Sequence, residues 1–169
     1  ARMTTASAID TRPRRTAGFT LVEVLIATAI VAIIAVTASS MVVTAVKREK
    51  EMELRVALRQ IRQAIDDWKR ASDAGHIART PGESGYPRSL VALAAGTVDL
   101  RDPLGRRIHF LRRVPRDPFA TRDDVPAEQT WGLRSSTSEP DRPEPGDDVY
   151  DVHSLSPGVG LNRVPYRNW

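Results

Sequence analysis

The sequence of 169 residues contains no cysteine. Disulfide scaffolds, thiolate metal sites and cysteine nucleophiles are therefore excluded. Aromatic residues make up only 5% of the chain, and the part that follows residue 75 is rich in proline and charged residues. A domain built from that part can bury only a modest core.

Recognisable catalytic patterns are also missing. His76, His109 and His153 are far apart in the sequence and lack the spacing of paired metal ligands. There is neither a glycine-rich phosphate loop nor the Gly-x-Ser-x-Gly elbow of serine hydrolases. We therefore expect no enzyme activity, and we assign no catalytic residue.

Charge is almost absent from residues 19–46, where Glu23 is the single charged side chain. A helix over this range would be about 42 Å long, which exceeds the roughly 30 Å of bilayer hydrocarbon. The range is therefore predicted to be a transmembrane helix. Small side chains along it, such as Ala27, Ala35 and Ser39, would allow neighbouring helices to approach closely.

Positive charge is concentrated before this segment. Of the net charge of +4, residues 1–18 contribute +3, from Arg2, Arg12, Arg14 and Arg15 against Asp10. The positive-inside rule then favours a cytoplasmic N-terminus and an exported C-terminal part. Because little net positive charge remains after residue 18, and no stripe of basic and aromatic residues is visible, no nucleic-acid partner is expected.

The order of leader and apolar segment is unlike that of a secretory signal, where cleavage follows the apolar stretch. Here the basic leader, residues 1–18, ends at Gly18 and the apolar segment begins at once. If anything is removed, it is the polar leader, and the helix is kept.

Glu23 is the residue of this segment that most needs a physical explanation. An ionised carboxylate inside a bilayer costs several kcal/mol unless it has a partner, and no lysine or arginine lies within one turn of it. Cleavage after Gly18 would create a positive amine on Phe19, about 6 Å along the axis from Glu23. The amine of a neighbouring subunit is then the predicted partner. The alternative is a carboxylate hydrated near the membrane interface.

Apolar residues continue at helical spacing beyond the membrane segment, in the narrow stripe Leu54, Leu58, Ile61, Ile65 and Trp68. No proline or glycine interrupts the chain between Phe19 and Ala74, and Gly75 is the stop signal. One helix of roughly 50 residues is therefore predicted, with residues 47–74 packed on the exported domain. The alternating charges of residues 47–53 indicate a solvated face.

Residues 75–169 are predicted to form this exported domain from short elements. A turn followed by a short helix is expected over 85–93, and strands are expected over 107–114, 130–135 and 149–155. Asp117, which lies between two prolines, is predicted to cap a turn. Residues 138–148 are too polar and proline-rich to pack, which indicates an exposed loop.

The segment Arg14–Ala27 resembles the leader and N-terminus of type IV prepilins and type II secretion pseudopilins. It joins a basic leader, a glycine before Phe19, and Glu23 at the fifth position after Gly18. The resemblance implies cleavage between Gly18 and Phe19 by a membrane prepilin peptidase, which also methylates the new amine of Phe19. It further implies assembly through Glu23.

Two patches of the exported domain resemble the major, G-type pseudopilin of type II secretion. One is Tyr86-Pro87 followed by two leucines, and the other is the segment 110–119, which ends in Asp-Pro-Phe. The resemblance implies an α+β fold of the type IV pilin class. In that fold a long N-terminal helix, transmembrane in its first half, packs on a small three-stranded antiparallel sheet.

Members of that family often bind calcium in a C-terminal loop, and hard cations prefer several converging oxygen ligands. Asp147, Asp148 and Asp151 are the candidate calcium ligands here. The loop that follows, residues 154–162, lacks the further acids that such a site normally uses. The alternative is that Asp147 and Asp148 only keep the preceding loop soluble.

These features predict a single-pass subunit of the bacterial inner membrane, with a periplasmic domain, that polymerises through residues 19–46 into a short helical homopolymer. The resemblance implies that this filament helps to push folded proteins through the outer-membrane channel of type II secretion. Its expected partners are the prepilin peptidase, minor pseudopilins, an inner-membrane assembly platform and membrane lipid. The alternatives are a minor pilin of a type IV pilus, for adhesion, motility or DNA uptake, and a membrane-anchored binding module.

Overall fold

The computed structural model describes residues 18–169, apart from the side chains of residues 36–41. The predictions made for the leader arginines and for Ser39 lie outside the described residues. The elements are, in chain order, α1 (Leu21–Asp73), α2 (Leu90–Ala95), β1 (Thr97–Val98), β2 (Arg107–Ile108), a 3-10 helix (Ala127–Thr130), β3 (Trp131–Arg134), β4 (Asp151–Ser154) and a second 3-10 helix (Tyr166–Asn168). The chain divides into two compact units, Ala1–Val43 and Thr44–Trp169.

The helix α1 is continuous over 53 residues, as the absence of proline and glycine predicts. It ends in a Schellman motif, in which the amide of His76 donates to the carbonyl of Ala71 at 2.9 Å and that of Gly75 donates to Ser72 at 3.0 Å. Gly75 has a φ of 75°, a conformation that glycine adopts without steric cost. The predicted stop signal is therefore confirmed.

The apolar stripe of α1 forms the core of the unit Thr44–Trp169. Leu54, Ile61 and Ile65 are completely buried, and Leu58 is nearly so. They pack with residues from the rest of the unit, namely Leu90, Leu93, Leu111, Trp131, Val149, Val152 and Tyr166. Each fully buried aliphatic side chain stabilises the fold by about 1.5–3 kcal/mol, so the stripe is the main link between α1 and the elements that follow it.

The strands pair in two short antiparallel sheets. In one, Thr97 of β1 lies opposite Ile108 of β2, and in the other Trp131 of β3 lies opposite Ser154 of β4. The strands β3 and β4 confirm the predictions for 130–135 and 149–155, and α2 confirms the short helix. Among the described residues, two sheets of two strands take the place of the single three-stranded sheet that was expected.

The predicted strand over 107–114 was too long, since β2 ends at Ile108. The amides of Phe110 and Leu111 both donate to the carbonyl oxygen of Leu93 at 3.0 Å. These bonds fix the chain to the end of α2 and use the backbone donors that a longer ladder would need. The alternation of Ile108 and Phe110 in the sequence therefore does not extend β2 beyond Ile108.

Glu51 corrects the prediction that residues 47–53 form a solvated face. The residue is only 5% exposed. Its Oε1 atom accepts hydrogen bonds from the amide of Leu161 at 2.8 Å and from the hydroxyl of Tyr166 at 3.0 Å. The ring of Tyr166 stacks on Phe119, with 4.2 Å between ring centroids. One helix carboxylate thus holds residues 161–166 against α1.

Asp117 has the capping function that its position between two prolines predicts. Its Oδ1 atom accepts a hydrogen bond from the amide of Phe119 at 2.8 Å, and its Oδ2 atom accepts one from the hydroxyl of Ser154. The side chain is 2% exposed. Asp117 therefore connects the turn that follows Pro115 to β4.

The contact between Tyr166 and Glu51 predicts a loss of stability at alkaline pH. Burial, together with the hydrogen bond to Glu51, raises the pKa of Tyr166 to about 12. The unfolded chain, with a tyrosine pKa near 10, then loses the proton first, so stability falls between about pH 10 and pH 12. Tyr166 contributes at most about 1.4 kcal/mol per pH unit to this slope.

The measurement is chemical denaturation of the full chain in detergent micelles from pH 8 to pH 11.5, compared with Tyr166→Phe. The variant is expected to lose much of the slope above pH 10. Burial also raises the pKa of Tyr86, which accounts for a residual slope. Equal slopes for the two proteins would contradict the assignment to Tyr166.

Candidate functional site

The predicted processing position lies directly before α1. Gly18, Phe19 and Thr20 precede the helix, and the side chain of Phe19 is 80% exposed. The peptide bond between Gly18 and Phe19 is therefore in non-helical chain, where a peptidase can reach the backbone.

Thr20 is the N-cap of α1. Its hydroxyl oxygen accepts a hydrogen bond from the amide of Glu23 at 3.2 Å, and its carbonyl oxygen accepts one from the amide of Val24 at 3.2 Å. A threonine followed three residues later by a glutamate has the spacing of a capping box, and the structure forms the bond to the threonine hydroxyl but not the reciprocal bond to the glutamate. The Thr-x-x-Glu spacing in the sequence would have been enough to predict this N-cap, which was not among the predicted features.

Glu23 therefore lies in the first turn of α1, where the helix dipole favours negative charge. It is exposed, and within residues 18–169 its carboxylate forms no ion pair and accepts no hydrogen bond. Its carboxylate oxygens are thus available to a group from outside this part of the chain.

The first four turns of α1 expose apolar side chains on all sides. The large ones between residues 21 and 34 are each 48–79% exposed, namely Leu21, Val22, Val24, Leu25, Ile26, Ile30, Val31, Ile33 and Ile34. A contiguous apolar surface of this kind marks an interaction site for protein or membrane.

The predicted transmembrane range, 19–46, includes residues 36–41, whose side chains lie outside the described part. Among the residues that are described, no helix combines the length and the apolar character needed to cross a membrane.

The family model that describes the prokaryotic N-terminal methylation motif matches residues 13–39. The chain carries a type IV pilin-like signal. This match supports membership of the type IV pilin and pseudopilin family, processing by a prepilin peptidase and pilus-like polymerisation. It also indicates an N-terminus anchored in the inner membrane. The long helix and small antiparallel sheets fit the pilin-like α+β fold. No curated protein and no solved structure matches the chain significantly.

Two of the three candidate calcium ligands, Asp148 and Asp151, already have partners in the fold. Asp148 is 8% exposed, and it accepts hydrogen bonds from the hydroxyl of Ser135 at 2.8 Å and from the amide and hydroxyl of Ser136 at 2.9 and 2.6 Å. Burial raises the pKa of Asp148, but hydrogen bonds from Ser136, Ser84 and Ser135 outweigh it, so the pKa lies below its ordinary value.

Asp151 is engaged elsewhere, because its Oδ1 atom forms an ion pair with Nε of Arg62 at 2.7 Å. In the part of the chain that begins at residue 18, no cluster of three carboxylate or imidazole side chains is placed to hold a metal ion. Calcium binding by Asp147, Asp148 and Asp151 stays a prediction, and a cation would have to compete with the serine hydroxyls and with Arg62.

Proposed function

We propose that the chain is a pseudopilin that polymerises into the short filament of a type II secretion system. The observation that carries this proposal is the N-terminal methylation motif over residues 13–39, followed at once by a long helix. The exposed apolar side chains at the start of α1 provide a surface for polymerisation. The patches at Tyr86-Pro87 and at residues 110–119 favour the secretion branch over a type IV pilus.

The chemistry of assembly begins with removal of the leader. Hydrolysis of the Gly18–Phe19 bond leaves a positively charged amine on Phe19, and the peptidase then methylates it. Glu23 has no partner in its own described chain, so its carboxylate can pair with the Phe19 amine of a neighbouring subunit. Since both charges are costly in apolar surroundings when they are alone, the pair makes assembly depend on processing.

We further propose that residues 19–46 cross the inner membrane and that the chain after residue 46 lies in the periplasm. The work of such a subunit is mechanical. Growth of the filament on an inner-membrane platform, together with minor pseudopilins, would push folded proteins toward the outer-membrane channel. No catalytic residue is proposed, and a minor pilin of a type IV pilus is the competing assignment.

The experiment that tests this proposal compares a strain that lacks the gene with the same strain complemented by the wild-type chain or by Gly18→Leu. In the wild-type complement, the intact mass of the purified protein is expected to correspond to a chain that starts at N-methylated Phe19. The Gly18→Leu variant is expected to keep its leader, since a bulky side chain replaces glycine at the cleavage position.

The same strains separate the two branches of the family. Loss of the chain is expected to trap folded exported proteins in the periplasm, and only the processed wild type should restore secretion. Normal secretion together with loss of surface pili would support the minor pilin instead. A purified wild-type chain that still carries residues 12–18 while the peptidase is active would overturn both assignments.

A further inference from the structure

An open cavity of about 700 Å³ lies within the unit Thr44–Trp169, where α1, β3 and β4 all contribute to its lining. Its lining includes four arginines against two aspartates, namely Arg62, Arg134, Arg142 and Arg167 against Asp141 and Asp151. The arginines come from α1, β3, the loop that follows β3 and the second 3-10 helix. The fold therefore brings together positive charges that are far apart in the sequence.

The guanidinium group of Arg62 already has hydrogen-bond partners within the protein. Besides its ion pair with Asp151, its Nη2 atom donates to the main-chain oxygens of Val152 at 3.1 Å and Trp169 at 2.7 Å. The ion pair neutralises the charge of Asp151, and the two hydrogen bonds fix Arg62 against Val152 and Trp169. They leave the other three arginines as the groups available to a ligand.

Arg134 is the deepest of these three groups. Its Nε atom is buried and has no hydrogen-bond partner in the described chain. Its guanidinium group lies over the ring of Tyr150, with 5.3 Å to the ring centroid. A buried N–H group without an acceptor costs about 1–3 kcal/mol. An acceptor supplied by a bound ligand or a water molecule bridging to it would offset that cost.

Arg142 and Arg167 are both exposed, and neither forms an ion pair or donates a side-chain hydrogen bond within residues 18–169. Arg142 is held in a loop by prolines at 140 and 143, which also line the cavity, and proline restricts the backbone there. The two side chains therefore flank the opening as unpaired cations.

His153 completes the polar lining. Its ring packs so closely on the backbone of Gly132 that a β-carbon at that position would come within 2.2 Å of the ring. Burial lowers the pKa of His153, and the charges of Arg167 and Arg62 lower it further, against the opposing effect of Asp151. The imidazole is thus neutral at pH 7 and offers one N–H donor, while the net charge of the lining stays positive.

From this arrangement we propose that the cavity binds a small soluble phosphate-bearing ligand, held by Arg134, Arg142 and Arg167. Guanidinium groups match the oxygens of phosphate in a bidentate manner. The side chains of the lining carry four positive and two negative charges, and this positive excess favours a phosphate anion. Arg62 lies about 24 Å along α1 from Val46, so under the proposed membrane anchor a lipid headgroup is out of reach.

The test uses the full chain in neutral detergent micelles, with inorganic phosphate as the probe at constant ionic strength, and isothermal titration calorimetry as the readout. The double variant Arg142→Ala/Arg167→Ala is expected to bind phosphate about a hundredfold more weakly, since each removes a charge-assisted contact. The control is Arg112→Ala/Arg113→Ala. Those two residues are exposed and do not line the cavity, so this variant has the same net charge and should bind like the wild type.

Three results would overturn the proposal. One is the absence of saturable phosphate binding, and another is an equal loss in both double variants, which would indicate general charge screening. The third is binding seen only when the micelles contain phosphatidic acid, or only with an acidic peptide or a single-stranded oligonucleotide. None of these results bears on processing or secretion, so the proposed function is tested independently.

Discussion

Replacing Glu23 by glutamine is expected to abolish filament assembly while the chain is still cut after Gly18. In this variant the positive amine of Phe19 has no carboxylate partner in the filament. Removing one member of a buried charge pair costs about 3–5 kcal/mol, which corresponds to a loss of at least about a hundredfold in the assembly equilibrium. The measurement is the amount of sedimenting filament in a strain that overproduces the subunit.

Glutamine is the decisive substitution because it separates the charge of Glu23 from its position in the capping box. A glutamine three residues after the N-cap serves a capping box as well as glutamate does. The matched variant is Thr20→Ala, which removes the 3.2 Å bond to the amide of Glu23 and keeps the carboxylate. It is expected to cost about 1 kcal/mol of helix stability and to assemble nearly normally.

The two variants together distinguish the two explanations of Glu23. If Glu23→Gln assembled like the wild type and Thr20→Ala did not, Glu23 would act through the start of the helix. The charge pair would then be excluded as the link between processing and assembly.

Replacing Glu51 by alanine is expected to destabilise the unit Thr44–Trp169 by about 2–4 kcal/mol. The substitution leaves the amide of Leu161 and the hydroxyl of Tyr166 without their common acceptor. Each unsatisfied buried donor costs about 1–3 kcal/mol, and partial access of water to Leu161 reduces the sum. The free energy of unfolding is measured by denaturant titration of the full chain in micelles, followed by tryptophan fluorescence.

The control for Glu51 is Glu53→Ala on the same helix. Glu53 is exposed, and its side chain forms no ion pair or hydrogen bond within residues 18–169, so its replacement should change stability by less than about 0.5 kcal/mol. Similar effects of the two substitutions would show that Glu51 acts through general helix electrostatics. Its two hydrogen bonds would then contribute little.

The spacing of apolar residues along the sequence predicted those parts of the fold that depend only on which side chains are buried. The stripe from Leu54 to Ile65 and the end of α1 at Gly75 follow from spacing and from a stop signal, and both are confirmed. Glu51 was misjudged because it lies among alternating charges, and only residues more than a hundred positions later show that it is buried. The strand over 107–114 was overestimated because its amides bond to α2, a contact that no local pattern reveals.

The processing and assembly residues could be predicted from a local pattern, whereas the arginine cavity could not. Gly18, Phe19 and Glu23 lie within a few residues of one another, so a local motif was enough to predict them, and Thr20 could have been added from its spacing. The arginine cavity depends on Arg62, Arg134 and Arg167, which come from separate elements. Such a cluster has no sequence pattern, since only the packing of β3 and β4 near α1 brings its members together.

The bonds of Glu51 to Leu161 and Tyr166 span 110 and 115 residues, and this has a consequence for how the chain folds during synthesis. The helix is made first, whereas Leu161 and Tyr166 are made more than a hundred residues after Glu51. Contacts of such large sequence separation form slowly, and the uncovered stripe is prone to aggregation until they do. A pause in translation shortly before residue 161 should therefore increase aggregation of the emerging chain.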